Sequence, residues 1–322
     1  MIAVMIPLAP YPNSLIQANA LIKILVTGAK GQVGAAVCQR ALKMGMSVVW
    51  FDAKHLDLSD LAQIHTLLAK HKPKFVINCA SYSVVDLAEA NPEDAYRVNQ
   101  DGAANVASAC ADFDVPMLHL STDYVFDGAQ HLPLNEQVPA NPVNIFGHSK
   151  SAAEELVREN CKQHIILRVG WIFSSSGNNF VLRTLRQIRR QEQIEAVDDQ
   201  FGCPTYAADV ARVFLAIVQQ IDCGIDVWGT YHYSGAEVAT WKGFAEAILA
   251  AVKQQPTTIA NKVVAVSSED WQAPAPRPAF TVLDCSKILG TFGIRQRPWR
   301  SGLVKVINSL TTDELMAANQ GE

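Results

Sequence analysis

Two short segments carry side chains suited to placing a proton on a carbonyl oxygen. Residues 121–128 read Ser-Thr-Asp-Tyr-Val-Phe-Asp-Gly, and residues 144–150 read Asn-Ile-Phe-Gly-His-Ser-Lys. The hydroxyls of Ser121 and Thr122 can hydrogen-bond a carbonyl oxygen. Phe146 and Lys150 are four residues apart, so a helix through both sets them on one face. A hydroxyl-rich strand end opposite a helical lysine suits carbonyl reduction, in which a cofactor supplies hydride and a lysine-backed phenol supplies the proton. Residue 146 supplies the ring without the hydroxyl.

The flanking sequence indicates what holds these segments. The apolar run 116–120 predicts a buried parallel strand ending at the first segment, and a helix is expected over 149–160. Earlier, the β-branched run 22–27 leads into Gly28, Gly31 and Gly34, with Gln32 and Val33 between them, and then into a helical pattern reaching 44. A strand, a glycine turn and a helix in that order make a phosphate cradle. Gly28 permits the tight turn, Gly31 admits a pyrophosphate to the backbone amides, and Gly34 lets helix and strand pack closely. A second strand over 47–51 ends at Asp52, placed to bind ribose hydroxyls, with Lys30 and Lys54 near enough to offset a 2′-phosphate. Residues 57–60 open a helix to about 71; Asp57 serves either that entry or an adenine contact, and Leu58 follows it. A third strand over 74–79 leads to Ala80, Ser81 and Ser83, all small residues. Asp86, Glu89 and Glu93 read as a solvated helix face, and 96–112 as one further helix. After a strand over 165–169 the alternation loosens. The expected fold is α/β, a Rossmann-type doubly wound parallel sheet over 22–172, with a smaller C-terminal α/β substrate domain over 173–322. Helix 207–220 and strand 229–234 are expected to return to the first domain.

Composition excludes several classes. The 322 residues carry 27 Lys and Arg against 31 Asp and Glu, a formal charge of −4, with 49% hydrophobic and 18% charged residues. That balance disfavours a nucleic-acid partner, and no apolar run is long enough for a membrane span. Seven scattered cysteines without a Cys-x-x-Cys pair suggest free thiols in a reducing cytoplasm and no metal site. Residues 1–21 read as an N-terminal extension; they lack a basic start and are interrupted by Pro7, Pro10 and Pro12.

Residues 121–128, the spaced glycines, Trp171, the run 198–205 (Asp-Asp-Gln-Phe-Gly-Cys-Pro-Thr) and Arg277-Pro278 together resemble the dTDP-4-dehydrorhamnose reductase family of extended short-chain dehydrogenase/reductases. The resemblance spans about 22–306 and implies NADPH or NADH held by Gly28, Gly31, Gln32, Val33, Gly34, Asp52, Asp57, Leu58, Ala80, Ser81, Ser83 and Lys150. It implies a dTDP-sugar met by Ser121, Thr122, Asp123, Tyr124, Trp171, Thr205 and Arg277, with Trp171 open to a core role instead. Asn99 would brace the site, and Thr122, residue 146 and Lys150 would do the chemistry. The family's motif has Tyr where this chain has Phe146, so three accounts stand. The chain reduces its sugar with a proton from Tyr124, Thr122 or a Lys150-bound water; or it binds and regulates, like the methionine adenosyltransferase β subunit; or Phe146 is a substitution in an ordinary reductase. The basic run from Arg183 to Arg190 faces either a nucleotide or solvent, and a homodimer stays open.

Overall fold

The computed structural model describes residues 22–310, so the extension read at 1–21 lies outside the described residues. The chain begins β1 (Lys23–Thr27), α1 (Gln32–Lys43), β2 (Ser47–Phe51), α2 (Leu61–His71) and β3 (Phe75–Asn78). It continues through α3 (Val85–Ala90), α4 (Pro92–Tyr96), α5 (Gly102–Asp112), β4 (Met117–Thr122), α6 (Ile145–Asn160) and β5 (His164–Val169). A second stretch contains β6 (Ile172–Phe173), α7 (Phe180–Ile188), β7 (Gln193–Val197), β8 (Phe201–Gly202) and β9 (Thr205–Tyr206). Next come α8 (Ala207–Asp222), β10 (Gly229–His232), β11 (Ala239–Thr240), α9 (Trp241–Val252) and β12 (Lys262–Val266). Three helices complete it: α10 (Ser268–Trp271), α11 (Ser286–Phe292) and α12 (Trp299–Ser309).

Six strands form one sheet in the order β10-β5-β4-β3-β1-β2, and every pairing in it is parallel. Side chains alternate between its two faces. Ile24, Val26, Ile77, Leu118 and Leu167 pack under α1 and α8, while Leu25, Val76, Met117 and Ile166 pack under α2, α5 and α6. This is the doubly wound arrangement expected, with strand order reversing between β1 and β3, where open α/β sheets bind ligands. Helix α8 and strand β10 return to the sheet as the sequence predicts, and so does the segment bearing Leu283, Cys285, Ile288 and Phe292. The second lobe has its own core of α7, α9 and α12 over the parallel pair β7 and β12, centred on Phe173, Phe244 and Trp299.

Two helices differ from expectation. Helix α6 begins at Ile145, not 149, because Asn144 caps it: its side-chain oxygen accepts the Gly147 N–H at 2.8 Å while its amide donates to the Pro276 carbonyl. Residue 147 in its first turn is glycine because a Cβ there would collide with the Tyr124 carbonyl. The helix expected over 96–112 is two helices joined by a π-helical turn, Arg97–Asp101, and Asn99 sits in that turn. An extra residue in a turn re-aims one side chain, a device frequent at functional sites.

Helix α6 is held in register on the sheet by buried polar contacts. Met117, His119 and Ser121 alternate onto the face that α6 covers. His119 and Ser121 are two residues apart, about 6.6 Å of strand, and Lys150 and Glu154 are four apart, about 6 Å of helix. The lengths match, so His119 meets Lys150 at 3.1 Å and Ser121 donates to Glu154 at 2.6 Å. Glu154, 1% exposed, also takes a two-pronged Arg168 guanidinium at 2.8 and 2.6 Å, and Arg158 at 2.6 Å. Glu154→Ala should therefore strand the Arg168 charge inside and lower unfolding free energy by about 3–5 kcal/mol in a urea titration. Replacing the pair together (Glu154→Leu with Arg168→Met) should recover much of that loss.

Candidate active site

The glycine turn after β1 is built to admit an anion. Gly28 has φ +66°, and a Cβ on it would strike the backbone at Cys79–Ala80, which closes over the turn. A Cβ on Gly34 would strike the Gly28 carbonyl, which matches its expected packing role. Gly31 is the N-cap of α1, and no side chain caps this helix, a feature it shares with α3, α4, α5, α8, α11 and α12. The first-turn amides of α1, at Gln32, Val33 and Gly34, are thus left for a ligand such as a pyrophosphate. The Gln32 side chain accepts a hydrogen bond from Ser174 at 2.8 Å, tying this turn to the chain entering the second lobe.

Asp52 ends β2 as expected and is buried, but its carboxylate is already engaged. Lys30 lies 2.5 Å from one oxygen, while His55 (2.5 Å) and the Lys54 N–H (3.0 Å) meet the other. Lys30 first, and then His55, hold this carboxyl well below the usual range. Asp57 closes a local turn by accepting from the Ser59 N–H and hydroxyl, and Leu58 packs its side chain into the core beside Gly102. Asp60, not Asp57, caps α2.

A row of polar side chains crosses the strand ends, set by the register Thr27–Asn78–His119. The Asn78 oxygen accepts from Thr27 at 2.6 Å and from the Ala80 N–H at 3.1 Å, so the amide nitrogen faces His119 Nδ1 at 3.2 Å. Nδ1 is then an acceptor, so a neutral ring carries its proton on Nε2, and the 3.1 Å contact is a hydrogen bond only when Lys150 is the free amine that accepts it. Lys150, 1% exposed, also donates to the Leu120 carbonyl at 2.7 Å. Burial lowers its pKa to about 8, against the opposing pull of Glu154 and then Cys79, and burial pushes His119 well down. Asn99 holds the neighbouring loop: it accepts from the Ser81 hydroxyl (3.0 Å) and the Tyr82 N–H (2.7 Å) and donates to Ser149 on α6 (2.9 Å). Its bracing role is thus visible, Ala80 lies in the same loop, and Ser83 is exposed beyond it.

Beyond the strand end, Thr122 Oγ1 accepts the Tyr124 N–H at 3.2 Å and lies 3.1 Å from the Asp123 carboxyl. The Phe146 ring, 8% exposed, wedges among Ala88, Ala95, Tyr82, Val85 and Ile145 and meets Tyr124 edge-on at 6.0 Å. Arg277 reaches Asp86 at 2.8 Å, and burial raises the Tyr124 pKa while Arg277 and Arg183 oppose the rise. Arg183 is exposed on α7 yet within electrostatic reach of Tyr124 and Arg277.

Several expectations are corrected. Ser121 does not face the carbonyl site; strand alternation turns its hydroxyl to Glu154. Thr205 is fully buried, with its hydroxyl spent between the Cys203 carbonyl (2.9 Å) and the Gly235 N–H (3.1 Å). Trp171 is not among these: it is half-buried at φ +51°, stacked on Trp241 at 3.5 Å and pressed against Gly202, packed against the second-lobe core with part of it exposed. Asp86 and Glu93 are solvent-accessible as expected, but Asp86 also pairs with Arg277, and Glu89 accepts the Ile145 N–H at 3.0 Å at the start of α6. Asn78, His119, Asn144, Glu154 and Arg168 were missed. Only the alternation at His119 and Ser121 and the four-residue step to Glu154 signalled any of them.

Comparison with known proteins follows this geometry. The family described as RmlD substrate binding domain matches residues 22–312. A protein of Sinorhizobium fredii named dTDP-4-dehydrorhamnose reductase is 33% identical over 290 residues, covering 89% of this chain and 97% of its own. An Escherichia coli protein of the same name is 31% identical, covering 90% and 98%. The crystal structure of dTDP-4-dehydrorhamnose reductase from Bacillus anthracis, in complex with NADP, superimposes with TM-score 0.83 at 32% identity, covering 90% of this chain and all of that one. UDP-glucose 4-epimerase from Thermotoga maritima shares the fold at TM-score 0.73 and 16% identity. With a match that runs from the first described strand past the last described helix, this chain is a member of the RmlD, or dTDP-4-dehydrorhamnose reductase, family.

Proposed function

We propose that the chain reduces the C4 keto group of dTDP-4-dehydro-6-deoxy-L-mannose, giving dTDP-L-rhamnose, with NADPH or NADH as reductant. The observation that carries this reading is a juxtaposition. The uncapped amides of α1 and the pair Thr122 and Lys150 lie along the same C-terminal edge of one parallel sheet, in a chain whose reductase relatives it covers almost end to end. A bound nicotinamide dinucleotide supplies hydride. Gln32, Val33 and Gly34 receive its pyrophosphate through backbone N–H groups, and Gly28 lets the chain approach. Lys30 beside Asp52 offers positive charge for a ribose phosphate, and Asp52 offers the acceptor for a free ribose, so both cofactors suit the turn. Thr122 orients the keto oxygen. Tyr124 and Arg277 take the nucleotide diphosphate side, with the planar guanidinium matched to phosphate oxygens. A reaction drawing on reduced dinucleotide belongs in the cytoplasm.

Phe146 sets the rate. A positioned proton donor contributes about 10²- to 10⁴-fold, and a phenyl ring at 146 keeps the packing without the proton. A second reading draws on the same residue: a donorless ring buried in the site also suits a protein that binds nucleotides and acts by docking to another enzyme.

Dinucleotide oxidation measured with the dTDP-keto sugar separates the two. Phe146→Tyr should raise kcat at least about tenfold and leave KM within a few-fold. No turnover by either protein, together with retention of a partner enzyme on purification, would replace the reductase reading with the docking one.

Lys150 gives a pH test independent of substrate. Its folded pKa, about 8, lies below the usual lysine value of about 10.4, so the desolvated ammonium destabilises the fold at every pH below about 8. That penalty fades as pH rises through the window between the two values. Melting temperatures should show the parent gaining on Lys150→Met from about pH 8 to about pH 10, and a constant difference would contradict the buried-amine assignment.

A further inference from the structure

Thr122 cannot serve a keto oxygen while its one proton is given away. Its Oγ1 already accepts the Tyr124 N–H, and its remaining close partner is the Asp123 carboxyl at 3.1 Å. An ionised Asp123 would take the Thr122 proton and leave only a lone pair facing the substrate. The surroundings of Asp123 disfavour that ionised state. The residue is 2% exposed, and its Oδ2 has no hydrogen-bond partner. Among the described residues no cation pairs with it. The Thr281 hydroxyl, which also reaches the Phe201 carbonyl at 3.5 Å, lies within hydrogen-bonding reach of the carboxyl and is neutral. A Cβ on Gly170 would collide with the carboxyl, so the pocket around it is closed. The titratable groups facing it are the Tyr124 phenol and the Cys203 thiol; burial pushes the thiol up to about 11 and the phenol above its usual range, so neither carries charge at neutral pH. A carboxyl in such a place is most stable as the acid.

We propose that Asp123 is the proton source that this chain uses in place of a phenol at 146, acting through the Thr122 hydroxyl. The proposal rests on the reductase reading above. Protonated Asp123 donates to Thr122, and Thr122 then donates to the keto oxygen. As hydride adds at the carbonyl carbon, the C=O π pair moves onto oxygen, so the ketone is reduced and the dinucleotide oxidised. The new O–H bond forms as the Thr122 O–H breaks, and the Asp123 proton restores Thr122. Asp123 is left as a carboxylate that regains a proton from solvent after product leaves. Burial, opposed by the nearby hydroxyls of Thr281 and Thr122 and by the backbone N–H groups of Asp123 and Tyr124, raises the Asp123 pKa to about 7, which suits an acid working near neutral pH.

Asp123→Asn keeps an N–H to donate to Thr122 and removes the transferable proton. In the parent it should lower kcat for the dTDP-keto sugar by about 10²- to 10⁴-fold with KM nearly unchanged, and in a Phe146→Tyr background by less than about tenfold. Equal losses in both backgrounds would mark a structural role and overturn the relay, as would no loss in the parent. Two measurements need no Asp123 variant, should that one misfold. In unliganded protein, the infrared band of a protonated carboxyl should be present at pH 6 and gone by pH 9; a carboxylate already ionised at pH 5 overturns the proposal. The parent's kcat should fall as pH rises through about 7, and Phe146→Tyr should move that limb upward. If neither parent nor Phe146→Tyr turns over, the reductase reading fails and takes the relay with it. That result differs from failure of the relay alone, in which both turn over and Asp123→Asn is harmless.

Discussion

The rotation of α6 about its own axis decides whether there is a site at all. Adjacent helical residues point about 100° apart, so a one-residue slip would carry Lys150 off His119 and Glu154 off Ser121 at once. Apolar packing alone does not forbid that slip, because Ala153 and Val157 are shapes the sheet could accept at a neighbouring angle. The polar contacts do forbid it. Two residues of strand and one turn of helix have nearly the same length, so His119 and Ser121 can be satisfied together only in the observed phase. Asn99, bonded to Ser149 on the same helix, fixes the α3–α5 side of the seam.

Three ionisable groups buried along this seam end in different states, and their partners decide which. All three are desolvated, which disfavours charge in each. Glu154 receives donors from Arg168, Ser121 and Arg158, and its pKa falls below the usual value in spite of burial. Lys150 has a backbone carbonyl and an imidazole that is itself neutral, and its pKa falls toward neutrality. Asp123 has hydroxyls and backbone N–H groups but no paired cation among the described residues, and its pKa rises. The first group holds the structure and the other two can exchange protons near pH 7. One desolvated layer thus supplies both rigidity and reactivity, and the number of charged donors around each group separates the two roles.

The sequence made the fold and the centre of the site legible where the signal is local. The glycine turn, the strand ending at Thr122 and the helix bearing Lys150 are each encoded within a dozen residues. What escaped was encoded at long range. Ser121 and Thr122 are neighbours with similar chemistry, and only the parity of the strand assigns one to Glu154 and the other to the site. Thr205 reads as a ligand because its hydroxyl is free on paper; the Gly235 N–H that consumes it arrives 30 residues later. Asp86 and Glu89 look like a charged helix face until Arg277 and the Ile145 amide are brought to them from far along the chain. The expected start of α6 falls too late because its cap, Asn144, is held by the Pro276 carbonyl from 132 residues away.

Phe146 illustrates why packing and chemistry at one position can part company. Its ring fills a space bounded by Ala88, Ala95, Tyr82 and Tyr124, and a phenol there would bury nearly the same apolar surface. Stability therefore exerts little preference between the two rings. The chemical consequence is large because proton transfer depends on one atom at one place. A site that loses that atom keeps its shape, its binding groups and its buried ionisable layer. Its remaining activity is then set by whichever neighbour in that layer holds a proton at working pH and touches a hydroxyl that touches the substrate. In this chain the group placed so is a carboxyl without a counter-ion, one residue past the threonine.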